Sequence, residues 1–108
     1  MPGKKTKGEP RTAIIASGDA GLYYGDITAT DEEINAAKMV RVTNCRHIAY
    51  WEGKEGGITS LAEHGPLDNG KSRIGLATSS PAAIMDVRNV FPVSPAAAAR
   101  FLAAAVKP

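Results

Sequence analysis

The densest group of chemistry-bearing side chains is Arg46, His47, Tyr50 and Trp51, set in the stretch Met39 to Trp51. Arginine and aromatics together supply what a nucleotide needs: a guanidinium fork for phosphate and flat faces on which a base can stack. Arg41, Arg73 and Arg88 are further arginines that could reach a phosphate. Tyr and Trp on a strand more often pack in a core or at its rim, and an arginine there can be a plain exposed charge. The ligand-binding candidates are therefore Arg46, Tyr50, Trp51, Arg41, Arg73 and Arg88.

Other chemistries find less to work with. Cys45 and His47 point the same way if both lie on a strand, which would present two metal ligands. A structural zinc site takes about four, usually in closely spaced pairs. The remaining histidine, His64, brings no such pair, so no metal is expected and Cys45 reads as a small core residue. There is no G-x-S-x-G elbow, and the Ser, His and acidic residues are too scattered to read as a triad. Glu32 and Glu33 are explained more simply by a helix cap, and nothing obliges Asp26 and Asp86 to face each other. The expectation is a protein without catalysis or cofactor. The loop around Gly53 to Gly57 lacks the order of a phosphate-binding P-loop, although Gly56-Gly57 leads into a helix start, a natural anion site.

These residues must be positioned by a small number of elements. Thr12 to Ser17 and Ala20 to Thr28 read as two strands joined by a tight turn at Ser17-Gly18-Asp19. Gly21 and Gly25 inside the second mark a bulge or a close backbone approach. Thr30-Asp31-Glu32-Glu33 fits a capping box, opening either a turn or two of helix through Ile34 and Ala37 or a polar loop. Met39 to Trp51 is the strongest strand signal, with Val40 and Val42 on one face and a bulge or bend at Asn44-Cys45. Ile58 to His64 reads as a short helix stopped by Gly65-Pro66. Lys71 to Ala77 extends, and Ala83 to Val93 reads as one late strand with Pro92 at a sheet edge. Ser94 and Pro95 open an Ala-rich helix expected to run to Val106, with Leu102 and Val106 on its buried stripe. The fold class is α+β: a small twisted antiparallel sheet of four to six strands, a short central helix and a C-terminal Ala-rich helix.

The chain has 108 residues and a formal net charge of +2. Much of the excess sits in Lys4, Lys5, Lys7 and Arg11. Residues 1–11 read as a flexible basic arm and 12–108 as a single domain. A nucleic-acid-binding domain carries its basic footprint on a structured face, which argues against nucleic acid as partner. The single cysteine precludes an internal disulfide and fits a reducing compartment. No signal-peptide pattern and no membrane-spanning run are present, so the expected location is the cytoplasm, or a virion after cytoplasmic assembly.

The middle of the chain resembles a family of small, largely uncharacterised phage and prophage proteins. These carry an A-G-x-x-x-G segment, a D-A-R-R-[IL]-W-Y-W-S-G stretch and an S-L-S-E-L-A-x-x-G helix. The corresponding blocks here are Ala20 to Gly25, Asn44 to Gly53 and Ile58 to Gly65. The similarity extends over residues 12 to 95, with departures at Asn44, Cys45, His47 and Ala49. It implies a phage-type accessory role: an anti-defence protein that sequesters a small nucleotide signal, a virion decoration protein, or an inhibitor of a host protein. The nucleotide reading rests on analogy with phage sponge proteins of similar size. Two Phe and one Trp make a light core for this length, so a homo-oligomer, a dimer or higher, is expected to bury further apolar area.

Overall fold

The computed structural model describes residues 9–18, 21–52, 56–67 and 71–107. The proposed arm therefore lies mostly outside the described residues, but Arg11 does not belong to it. It opens the first strand and donates to the Ala29 carbonyl and the Asp31 carboxylate. In chain order the elements are β1 (Arg11–Ser17), β2 (Gly21–Ile27), α1 (Asp31–Ala37), β3 (Met39–Tyr50), α2 (Gly57–His64), β4 (Arg73–Ile74), β5 (Ala82–Met85), β6 (Val87–Pro92) and α3 (Pro95–Ala103). The six strands form an antiparallel sheet in the order β4-β3-β2-β1-β6, with β5 pairing β3. The protein is an α+β fold.

β1 and β2 form the expected hairpin, in register from Arg11 opposite Ile27 to Ser17 opposite Gly21. Gly25 is a close approach, as its position in a strand implies. A Cβ there would collide with the Val42 side chain and lie 2.8 Å from the Thr43 carbonyl oxygen. Opposite it β3 carries its bulge, since Tyr24 faces Arg46 but Asp26 faces Thr43. Asn44 takes up the extra residue at φ 53°. The capping box is fully formed: Thr30 Oγ1 accepts from the Glu33 amide at 3.1 Å, and the Glu33 carboxylate accepts from the Thr30 amide at 2.9 Å. Of the two readings for this segment, the helix is the one realised.

The sheet is buried on both faces. β1 shows why, because Ala13 and Ile15 enter one core while Ile14 enters the other. The first core is closed by Ile34 of α1, the Val40–Val42 half of β3 and Ile84 of β5. The second lies under α2 and α3 and contains Tyr24, Ile48, Leu61, Ile74 and Phe101. The stretch from Ala83 to Val93 is not one strand. Asp86, at φ 53°, divides it into β5, which bonds to β3, and β6, which bonds to β1. One run of chain thus joins strands that lie apart in the sheet, drawing the sheet around its first core.

α3 departs from expectation in its buried stripe and its length. Ala97 and Phe101, spaced four apart, face the core with no measurable exposure, whereas Leu102 is 74% and Val106 49% exposed. The helix stops at Ala103, and the chain beyond it turns to run beside β4. Val106 bridges Ile74, and the Lys107 amide donates to the Ile74 carbonyl at 2.9 Å. No helix among the described residues is long and apolar enough to cross a membrane.

Candidate functional site

The six sequence-predicted ligand residues do not form one cluster. Arg46 points inward and is 6% exposed. Its Nε donates to the Gly75 carbonyl and its Nη1 to the Phe101 carbonyl, both at 2.6 Å. Its Nη2 reaches Ile74 at 3.3 Å and Ala104 at 3.2 Å. A fork so occupied cannot also grip a phosphate, so Arg46 is corrected from a direct ligand group to a tether between β4 and the end of α3. Burial lowers its pKa, partly offset by Tyr24. Trp51 packs against the second core. Tyr50 and Arg73 are brought together, directly opposite on β3 and β4 and both exposed. The Tyr50 hydroxyl donates to the Glu52 carboxylate at 2.8 Å, and that bond raises the phenol's pKa. Arg41 lies on the other half of β3, opposite Ala83. Arg88 pairs with Asp86 at 3.1 Å in a separate groove of about 270 Å3 between α1 and β6. Asp86 is thereby engaged, while Asp26 accepts from Thr12 and Asn44.

A better-formed concavity lies at the C-terminal end of α3. It is a cleft of about 340 Å3 walled by Ala103, Ala104 and Ala105 on one side and by Pro66, Leu67 and Ser72 on the other, with Arg100 and Lys107 as its cations. Its lining mixes apolar Pro66, Leu67 and three alanines with polar Ser72, Arg100 and Lys107, and its volume lies at the small end of the range of roughly 300–1,000 Å3 usual for small-molecule sites.

Each of the three sequence blocks contacts α3 or the segments that line this cleft. From the first, Tyr24 stacks on Phe101 of α3 at 4.3 Å between ring centroids. From the second, Arg46 binds the Phe101 and Ala104 carbonyls. Glu52 of the same block accepts from the Leu67 amide at 2.8 Å, and its own amide donates to Ser72 Oγ at 3.0 Å. From the third, Gly65 at φ 79° ends α2 so close to α3 that a Cβ would sit 2.9 Å from Arg100 Cβ and 3.1 Å from the Ala97 carbonyl oxygen. A side chain there would push Arg100 and its helix away. Burial pushes the Tyr24 phenol up, with a smaller contribution from Asp26 and an opposing one from Arg46.

Residues 10–101 match the model of a domain family of unknown function, DUF6948. The chain belongs to that family. No curated protein and no solved structure matches it. The DUF6948 match takes in Tyr24, Arg46, Glu52, Gly65, Ser72 and Arg100, and stops before the Ala103 to Lys107 segment that completes the cleft.

Among the described residues no three His, Cys, Asp or Glu side chains gather as a metal site. Cys45 is buried, and burial raises its thiol pKa. The His47 ring instead lies 5.1 Å from that of Tyr23. Sequence reading passed over Arg100 and Lys107. The available signal was slight: Arg100 is the sole charged residue between Ser94 and Val106.

Proposed function

We propose that this protein is a non-catalytic binding module that captures a small ligand in the α3 cleft. What supports this reading is that Tyr24, Arg46, Glu52 and Gly65, far apart in sequence, pack on or bond to α3 and the segments that supply the cleft's lining, with Arg100 and Lys107 among the lining residues. A pre-formed cavity lowers the ordering cost of binding. Capture without turnover needs only such a site, consistent with sequestration of a small phosphorylated signal in a phage-type accessory role. The nucleotide expectation is retained with its site moved from the β3 face to the cleft. Isothermal titration against nucleoside monophosphates, cyclic nucleotides, ADP-ribose and short aliphatic phosphates tests it. Saturable binding abolished by Ala104→Trp, with the ligand recovered chemically unchanged, supports it. The absence of heat from every compound with folded protein refutes it.

Self-association is favoured by one further observation: α3 presents Leu102, 74% exposed, beside exposed Ala99 and Ala103. A two-fold contact through this face would cover it. Light scattering across a dilution series should give twice 11.3 kDa for the wild type and 11.3 kDa for Leu102→Glu. A monomer at all concentrations ends this reading.

A further inference from the structure

β6 stands last in the sheet, and among the described residues no strand lies along its outer edge. Its register with β1 tells which backbone groups face outward. Ala13 lies opposite Pro92, and the Val93 amide donates to the Thr12 carbonyl at 3.3 Å. Antiparallel partners alternate between hydrogen-bonded and non-bonded pairs, so the next bonded positions are Phe91 and Asn89. Val90 and Pro92 fall in the other phase and turn their backbone groups outward. Pro92 has no N–H to lose there, which is why the edge tolerates it. Val90 has both an N–H and a C=O, and among the described residues no backbone group pairs with either. This edge lies in a groove. Asp31, Ile34, Asn35 and Lys38 form one face of α1 at helical spacing, and with the edge from Val87 to Val90 they line a cavity of about 270 Å3. Lys38 marks the end beside Val87, whose amide donates to its carbonyl at 3.0 Å. Its ammonium donates to Asn35, and among the described residues no carboxylate pairs with it.

We propose that this groove takes an extended peptide segment of another protein, which adds to β6 as an antiparallel strand centred on Val90. A strand edge beside a helix offers main-chain hydrogen bonds for affinity and side-chain contacts for selection. The residue opposite Val90 accepts from its N–H and donates to its C=O. That residue's side chain shares the face of Val90, which packs on the first core with Ile34, so an apolar β-branched residue fits. Running antiparallel to β6, the segment passes from the Pro92 end to the Val87 end, where Lys38 stands. An acidic residue two positions further along the segment lies on the same face, toward Lys38. A second copy of this chain fits less well. The groove admits a single strand between α1 and the edge, whereas a second β6 arrives with its own α1 and sheet. Two-fold pairing about Val90 would also set Pro92, which has no N–H, opposite Arg88 and leave the Arg88 carbonyl without a donor. The groove is separate from the α3 cleft, and neither reading depends on the other.

The test uses the full chain and the synthetic peptide acetyl-Thr-Thr-Thr-Val-Thr-Glu-Thr-amide. In the free protein the Val90 amide should exchange with solvent faster than those of Asn89 and Phe91. On adding millimolar peptide its resonance should shift and its exchange should slow. N-methylation of the peptide valine removes the donor to the Val90 carbonyl and should weaken binding by about tenfold or more. Glutamine in place of the peptide glutamate should weaken it by about two- to fivefold, a difference that Lys38→Gln should abolish. The wild type alone supplies every reading but the last, so the proposal does not hang on the folding of a variant. An unmoved Val90 resonance, or equal affinity for the N-methylated peptide, overturns it. So does a Val90 amide already protected in the free protein. Protection at every dilution means that the edge is covered from within the chain, and protection that appears only at high concentration makes a second copy the occupant.

Discussion

Replacing Arg46 by Met keeps most of the apolar stem in place and removes the fork that binds Gly75, Phe101, Ile74 and Ala104. Each hydrogen bond to a charged group contributes about 1.5–3 kcal/mol, and each acceptor left buried and unpaired costs about 1–3 kcal/mol. The full sum does not apply. The Ala104 carbonyl is near the surface and can regain water, and removing an unpaired buried charge returns part of its desolvation cost. A net loss of about 2–4 kcal/mol is expected, against a total stability of roughly 5–15 kcal/mol for a domain. The variant should therefore fold and melt lower by roughly 10–20 °C. Urea denaturation with the denaturant slope unchanged reads the free energy. Hydrogen exchange should show protection lost first at the Ala104 and Lys107 amides, which donate to Phe101 and Ile74. Arg46→Lys, with three donors on a point charge, should recover about half of the loss. A Met variant within about 0.5 kcal/mol of wild type, the size of an ordinary surface substitution, would refute the assignment of Arg46 as the tether.

Gly65→Ala should cost about 1–3 kcal/mol, through strain at φ 79° and contact with Arg100 Cβ, and should weaken cleft binding more than Gly57→Ala, whose position is open. Urea melts and titration of both variants check this. Thr30→Ala should cost about 1 kcal/mol by removing half of the capping box, again read by urea melts. Cys45 should resist iodoacetamide in the folded protein and react on unfolding, because it is buried with a raised thiol pKa. A raised folded pKa means the native state holds the proton more tightly. The thiol's contribution to stability is thus fully present below its unfolded pKa of about 8.5, and declines as pH rises beyond that value. Urea melts of wild type and Cys45→Ser at pH 7 and pH 9.5 should show that decline in the wild type alone.

Local signals in the sequence were legible where local chemistry decides the outcome. Thr30 with Glu33, Ser94 with Pro95 and Gly65 with Pro66 mark helix ends through their own backbone geometry, and the structure places ends there. Gly25 and Asn44 announced a disturbed pairing between β2 and β3. Tertiary contacts are what the sequence hid. Alanine propensity alone would carry α3 on to Val106, but Arg46 claims the Phe101 and Ala104 carbonyls and the chain leaves to bridge Ile74. The direction of Arg46 was equally obscure. The bulge at Asn44 places Cys45 in one core and Arg46 in the other, and a sheet buried on both faces gives no alternation from which to tell inside from outside. Arg100 lay hidden because a lone cation among alanines resembles any solvated helix position.

The joint at Asp86 bears on how the gene can vary. Met85 and Val87 belong to strands bonded to different neighbours, with one residue and no loop between them. Substitution at Asp86 would alter a surface ion pair with Arg88. Insertion or deletion of a single codon is another matter. It would rotate one strand by a half-period relative to the other and turn either Ile84 or Val87 out of the first core. Length changes should therefore be purged at this joint, and residue identity held to Asp, Asn or Gly, the types that tolerate φ 53°. The connections between β3 and α2, and between α2 and β4, are free of that constraint and can vary in length. Those two segments border the cleft through Glu52, Leu67 and Ser72, so lineages could remodel its rim without disturbing the sheet beneath.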